Sequence, residues 1–133
     1  MRRGLLAGAL AVAMFASPAA GCAGSTDRVE IVLRNSHFDR TAIAVAAGRP
    51  VTIVLRNEDP IDHEWIVGDE AVHERHRTGT EPLHGERPTE VSVPALETLM
   101  TIVTFDETGT LRFVCHLPGH EAYGMTGVLT VVG

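Results

Sequence analysis

A short segment near the C-terminus constrains this chain most: Cys115-His-Leu-Pro-Gly-His-Glu-Ala-Tyr-Gly-Met125. It places a thiolate, an imidazole and a thioether at Cys-x4-His-x4-Met spacing. Soft sulfur donors combined with imidazole favour copper, and a mononuclear type 1 copper site uses two His, one Cys and a weak axial Met. The segment therefore supplies three of the four ligands, Cys115, His120 and Met125, and the remaining imidazole must come from elsewhere.

Strand-like sequence flanks this segment and continues through most of the chain. From residue 29 onward, short alternating or β-branched runs are separated by turn residues, a pattern typical of an all-β sandwich or barrel. Eight strands are predicted, at residues 29–33, 42–46, 51–55, 63–67, 90–93, 98–105, 111–115 and 127–132.

Alternation along the strands predicts where the missing imidazole comes from. Residues two apart share a face of a strand, so Leu111, Phe113 and Cys115 share one, which directs the thiol inward. His63 begins another strand, and the start of that strand and the end of the Cys115 strand can meet at one pole of the sandwich. His63 is therefore the predicted fourth ligand, with His37 as its rival.

The ligand segment resembles the C-terminal ligand loop of the cupredoxins, the family of plastocyanin and azurin. The order His63, Cys115, His120, Met125 is similar to theirs, as is the approach Gly48-Arg-Pro-Val-Thr-Ile-Val-Leu-Arg-Asn57. The resemblance implies a Greek-key β-sandwich holding one type 1 copper, with His120 as the exit for the electron. Many cupredoxins have Asn after the first His, whereas this chain has Glu64, a difference expected to tune the site rather than abolish it.

The N-terminus has the pattern of an export signal. Arg2 and Arg3 precede an apolar run that is too short for a membrane span, and Ala19-Ala-Gly-Cys22 resembles a bacterial lipoprotein cleavage site. We predict a signal peptide at 1–21, a tether at 22–28 lipidated on Cys22, and one domain at 29–133. The protein would then be extracytoplasmic, in the periplasm or at the cell surface, and held to a membrane by the lipid. Ordinary secretion and a Cys22–Cys115 disulfide are the alternatives.

The charge of the chain limits its partners. It has 17 acidic residues against 11 basic ones, of which Arg2 and Arg3 lie in the leader, and it has no Lys. This balance argues against nucleic acid and favours a basic docking surface on another protein. We expect a monomer that meets redox partner proteins transiently.

Four further histidines lie outside the predicted ligand set: His73, His76, His84 and His116. His116 follows Cys115 directly, so on an extended backbone its side chain points away from the copper and is expected to be exposed. His73 and His76 are spaced so that one helical turn could bring both to a metal ion. The preferred interpretation is that they lie on a solvent-exposed face and bind no metal.

These observations favour a carrier of single electrons over an enzyme. The alternative is a copper-binding protein for copper handling or resistance, in which His73, His76 and His84 also capture the ion. A third hypothesis is a nitrite-reductase-like or oxidase-like subunit whose second copper forms at an oligomer interface using His116. A short chain with a single complete motif makes this hypothesis less attractive.

Overall fold

The structure, a computed structural model, describes residues 27–79 and 87–133. Within these ranges the chain forms nine strands and one helix. Their bounds are β1 Asp27–Arg34, β2 His37–Phe38, β3 Ala42–Ala46, β4 Pro50–Asn57, β5 His63–Gly68, α1 Glu70–Thr78, β6 Glu90–Val93, β7 Thr98–Thr104, β8 Gly109–Val114 and β9 Thr126–Val132.

The strands form two sheets that pack face to face. The first has the order β2-β1-β4-β7, and the second has the order β3-β9-β8-β5-β6. Strands β1 and β4 pair in parallel, as do β3 and β9, whereas the other pairs are antiparallel. The predicted all-β sandwich is therefore confirmed.

Alternating apolar residues of both sheets fill the space between them. Ile31 and Ile53 of the first sheet and Trp65 of the second are fully buried. The rings of Phe38 and Phe113 join the two layers in an edge-to-face contact, with centroids 5.2 Å apart. Because strand β8 ends beside this aromatic cluster, the residue that follows it, Cys115, begins inside the core.

The polar segment between β5 and β6 contains the helix. Asp69 caps its N-terminus by accepting a hydrogen bond from the Val72 backbone N–H at 3.0 Å. Gly79 ends the helix in the left-handed conformation that suits a residue without a side chain. Helix α1 contacts β5, and its buried residue is His73.

All eight predicted strands are present, and the structure adds β2, which is only two residues long. Strand β1 begins at Asp27, two residues earlier than predicted, because Asp27 and Arg28 pair with Val51 and Thr52 of β4. The predicted signal peptide, Cys22 and His84 lie outside the described residues. Among the helices that are described, none has both the length and the apolar character needed to cross a membrane.

Gly127 offers a test of this packing, because a Cβ atom there would overlap the buried ring of Phe113. We expect Gly127→Ala to lower the free energy of unfolding by about 1–3 kcal/mol, the usual cost of overpacking a core. Chemical denaturation followed by tryptophan fluorescence measures the loss. Gly133→Ala is the matched control, since its Cβ would make an ordinary contact with Thr108, and equal stability of the two variants would contradict this packing.

Candidate metal centre

Three predicted ligands converge at one pole of the sandwich. His63 begins β5, Cys115 follows β8, and His120 lies on the loop between β8 and β9. Their donor atoms all lie within 4.8 Å of one another. His63 and Cys115 are fully buried, whereas His120 is partly exposed. The pole therefore carries two imidazoles and one thiol that face one another.

The spacing of these donors fits a bound metal ion. The Nδ1 atoms of His63 and His120 are 3.3 Å apart, and Cys115 Sγ is 3.2 Å from His120 Nδ1. With metal–nitrogen distances of about 2.0–2.1 Å, two nitrogens bound at angles between about 90° and 110° lie about 2.9–3.4 Å apart. Both atom pairs are therefore separated by a distance expected for two ligands of one metal ion. Cys115 also carries a free thiol, as ligation requires.

The loop that carries His120 and Met125 is closed by its own backbone. Cys115 N–H donates to the Met125 carbonyl at 3.1 Å, and Met125 N–H donates to the His120 carbonyl at 2.9 Å. Gly119 and Gly124 adopt positive φ angles in the turns between them. Met125, the last residue of this loop, is fully buried.

Asp59 holds the imidazole of His63 in place. Its Oδ2 lies 2.8 Å from His63 Nε2, so the other ring nitrogen, Nδ1, faces Cys115 and His120. The same carboxylate accepts backbone N–H groups of Asn35 and Ser36 at 2.7 and 2.8 Å. A carboxylate behind a metal-binding imidazole fixes the ring orientation and raises its basicity.

The pKa values of the site reflect its burial. Burial raises the pKa of Cys115 to about 11, and the Glu64 charge adds to this, against hydrogen bonds from the Leu117 and Glu64 backbone. A metal ion must therefore displace the thiol proton on binding. Burial also lowers the pKa of His120, which favours the neutral imidazole that binds metals. Burial alone would raise the pKa of Asp59, but the backbone of Ser36 and Asn35 and the His63 ring bring it below its ordinary value.

The rival ligand His37 lies away from this site. Its exposed imidazole contacts the Asn35 carbonyl at 2.7 Å through Nδ1. Trp65 and Phe113 are fully buried, with ring centroids 6.5 Å apart, whereas Tyr123 on the ligand loop lies on the surface and is 75% exposed.

Two expectations about the other histidines are wrong. The side chain of His116 is only 4% exposed, and His73 is fully buried. The reason is α1, which covers this side of the second sheet, so that His73 and His76 of the helix meet His116. The sequence shows that His73 and His76 are one helical turn apart, but it does not show which face of the helix packs against the sheet.

Asp59 is the functional residue that sequence reasoning missed. In the sequence it belongs to the turn-forming segment Asn57-Glu-Asp-Pro60, which carries no local sign of a metal site. Its separation of four residues from His63 was the available signal, although such a spacing in a loop does not determine contact. Asn57 supports the same turn, since its Oδ1 accepts the Asp59 N–H at 2.9 Å.

Comparison with known proteins agrees with the fold and the site. The model of the cupredoxin-like domain family matches residues 5–131. The chain is 31% identical to the copper-resistant cuproprotein CopI of Pseudomonas aeruginosa, over 88% of this chain and 82% of that protein. It is 29% identical to CopI of Rubrivivax gelatinosus, over 77% of this chain and 65% of that protein.

Solved structures of blue copper proteins resemble it as well. Auracyanin A of Chloroflexus aurantiacus is 28% identical and superposes with a TM-score of 0.62, over 79% of this chain and 98% of that one. Auracyanin of Roseiflexus castenholzii shares the fold with a TM-score of 0.68 at 24% identity, over 83% of this chain and all of that one. The chain therefore belongs to the cupredoxin-like domain family.

The Asp59–His63 contact predicts a measurable loss of metal affinity. We expect Asp59→Asn to weaken copper binding by roughly 10- to 100-fold, the usual effect of losing a carboxylate behind a metal-binding imidazole. A titration against a competing chelator of known affinity measures the change. Asp106→Asn makes the same charge change on an exposed residue between β7 and β8, at the far end of β8 from Cys115. Equal affinities of the two variants would show that Asp59 does not support the ligand.

Proposed function

We propose that this cupredoxin binds one copper ion as a type 1 centre. His63 Nδ1, Cys115 Sγ and His120 Nδ1 would hold it, and the thioether of Met125 would supply a weak fourth ligand. When bound, the ion alternates between Cu(II) and Cu(I) and thereby takes up or releases one electron. The observation that carries the proposal is the convergence of the two Nδ1 atoms and the thiol within 4.8 Å.

The protein around the ligands supports reversible electron exchange. The Glu64 N–H lies 3.3 Å from Cys115 Sγ and donates to it, and hydrogen bonds to the sulfur tune the potential of such sites. Cys115 and Met125 belong to the same buried apolar cluster as Trp65 and Phe113. Because sheets hold the buried ligands and backbone bonds hold the loop, the donor positions change little between oxidation states.

His120 gives the site its contact with solvent. It is the partly exposed member of the three converging donors, so a partner that docks at this pole approaches the metal most closely through its imidazole. We propose that the protein is a monomer that transforms no substrate itself and that any redox partner would bind it transiently. Weak interfaces suit such exchange, because turnover requires release.

We propose copper tolerance as the biological role, outside the cytoplasm. The CopI relatives, named for copper resistance, favour it, since the similarity to the Pseudomonas protein extends over most of both chains. The second candidate is an electron carrier between partner proteins, which the auracyanin likeness and the single complete motif favour. The predicted leader and a lipid on Cys22 would place either activity at a membrane surface.

The type 1 assignment predicts the colour of the protein. When the protein is reconstituted with Cu(II), we expect it to show an intense visible absorption band from the thiolate, and this band should bleach on reduction with ascorbate. Cys115→Ser removes the thiolate and is expected to abolish this band. His63→Ala is expected to weaken or lose it, and His37→Ala to keep it, because His37 lies away from the ligands. A Cys115→Ser protein that retained the band would refute the assignment.

The tolerance role predicts a growth defect. A strain lacking the gene is expected to grow normally in ordinary medium and poorly in medium with added copper. The wild-type gene restores growth in copper, whereas Cys115→Ser does not, because the ion is no longer held by the thiolate. Growth curves across a copper series measure this. Normal growth in copper together with impaired respiration or photosynthesis would instead support the electron carrier.

A further inference from the structure

The hairpin turn between β1 and β2 lies against the loop that leads to the candidate ligand His63. Strand β1 pairs in parallel with β4, and Leu33 lies opposite Asn57, so both strands end at the pole of the sandwich that carries the candidate metal centre. Just beyond this pair, the Glu58 N–H donates to the Leu33 carbonyl at 2.9 Å. The turn and the loop between β4 and β5 are therefore neighbours in space, although they are distant in the chain.

The turn has a backbone conformation that few residues other than glycine adopt. Asn35 and Ser36 form the two-residue connection between β1 and β2. Both have positive φ angles, 53° and 56°, which is the pattern of a type I′ turn. Glycine adopts positive φ without steric cost, whereas the Cβ of Ser36 makes it unfavourable. Such a conformation persists where the surrounding structure holds it.

The carboxylate of Asp59 makes the contacts that hold the turn. Asn35 N–H donates to Asp59 Oδ1 at 2.7 Å, and Ser36 N–H donates to Asp59 Oδ2 at 2.8 Å. Two successive backbone N–H groups that face one anion form a nest, a common arrangement for binding anions. Asp59 is buried, so these N–H groups take the place of water as partners of its oxygens. The turn and the carboxylate therefore fix each other.

The main chain of Asp59 is held independently of the turn. Its N–H donates to Asn57 Oδ1 at 2.9 Å, and its carbonyl accepts the Leu96 N–H at 3.1 Å. The freedom that remains to this residue is rotation of the carboxylate about the side-chain bonds. Because the turn binds both carboxylate oxygens, it removes that rotation.

One carboxylate oxygen joins the turn to the candidate ligand. Asp59 Oδ2, which accepts the Ser36 N–H, also lies 2.8 Å from His63 Nε2. His63 belongs to the second sheet, whereas the turn belongs to the first. The hydrogen bonds from Ser36 through Asp59 to His63 therefore connect the two sheets beside the metal centre. A shift of the turn would move the oxygen that orients the imidazole.

We propose that the β1–β2 turn positions the copper ligand His63, through the backbone N–H groups of Asn35 and Ser36 and the carboxylate of Asp59. The proposal rests on the proposed copper centre and names the part of the fold that prepares its buried imidazole. Partners behind a metal-binding imidazole set its orientation and basicity. Asn35 and Ser36 are thus positioning residues that act through Asp59 without touching the ion. The alternative is that Asp59 only stabilises the hairpin, with no consequence for the ligand.

Substitutions at Ser36 test the proposal through copper affinity, measured in competition with a chelator of known affinity. Ser36→Val introduces a β-branched residue that avoids positive φ. We expect it to move the N–H away from Asp59 and to weaken copper binding roughly 10-fold. Ser36→Gly keeps the N–H and accepts positive φ, so it is expected to bind copper as tightly as wild type.

Gly48→Val is the matched control for a strained turn. It places valine at a φ of 67° just before β4, at the opposite end of that strand from Asn57. We expect it to lower the stability of the fold and to leave the copper affinity unchanged. Equal copper affinities of Ser36→Val and Ser36→Gly would overturn the proposal.

A double-mutant cycle separates positioning from a general loss of stability. In an Asp59→Ala background, Ser36→Val is expected to cause no further loss of copper affinity, because the turn and the ligand are no longer connected. Losses that add in full would overturn the proposal. If Ser36→Val fails to fold, as its far-ultraviolet circular dichroism would reveal, Asn35→Val replaces it, with Asn35→Gly as the variant that accepts positive φ.

Nuclear magnetic resonance of the metal-free protein tests the same contact without copper. We expect His63 to carry its proton on Nε2 in wild type and in Ser36→Gly, because Asp59 accepts it, and to lose this preference in Ser36→Val. A wild-type His63 with its proton on Nδ1 would overturn the proposal whether or not the turn variants fold. A missing blue band in wild type would instead overturn the type 1 centre and leave this result for the turn unaffected.

Discussion

The pairing of β8 with β9 is the constraint on which the candidate centre depends. Val114 lies opposite Thr126 in this ladder, and the next bond, from Cys115 N–H to the Met125 carbonyl, closes the loop between them. Both ends of the loop are therefore fixed by the sheet, and the thiol enters the core on the strand that also carries Phe113. The intervening residues need only complete a few tight turns to present His120. The loop is therefore held in a nearly fixed conformation, so little conformational freedom is lost when a metal ion binds.

Helix α1 adds a second support to the same loop. Arg77 donates to both oxygens of Glu121 at 2.8 and 3.0 Å, and Arg112 of β8 contacts the same carboxylate. Hydrogen bonding by Arg77 lowers the pKa of Glu121 to about 2, so the carboxylate stays ionised at all ordinary pH values. Each exposed ion pair contributes little by itself, but a forked arginine that joins two elements restricts their relative positions. The helix and the loop that holds His120 are consequently coupled, and the histidines that α1 buries lie at their junction.

Local sequence patterns were sufficient to predict those parts of the structure that depend on residues close together in the chain. Eight strands followed from alternation and turn residues, and the proximity of Cys115 and His120 followed from the spacing of one loop. His63 required one further step, the expectation that two strand ends meet. The features that the sequence did not predict all depend on contacts between segments that are distant in the chain. Asp59 reaches His63 through a turn also held by Asn35 and Ser36, and His116 is buried only because a helix more than thirty residues earlier covers it. An extended backbone correctly directs His116 away from the thiol, but it does not reveal what lies on the other side.

The charges around the centre bear on which oxidation state the protein favours. Asp59 sits directly behind His63, and its lowered pKa keeps it ionised. Glu64, at the position where many cupredoxins have a neutral Asn, is largely buried. Its charge adds to the effect of burial in raising the pKa of Cys115, and it opposes the lowering of the His120 pKa by burial. Two negative charges close to a cation stabilise its more highly charged form, and burial strengthens the effect because the local dielectric is low. In the proposed copper centre, these two charges would therefore favour Cu(II) over Cu(I). A centre biased in this way would accept an electron less readily than one with neutral neighbours, which suits the proposed role in copper tolerance better than electron transfer at high potential.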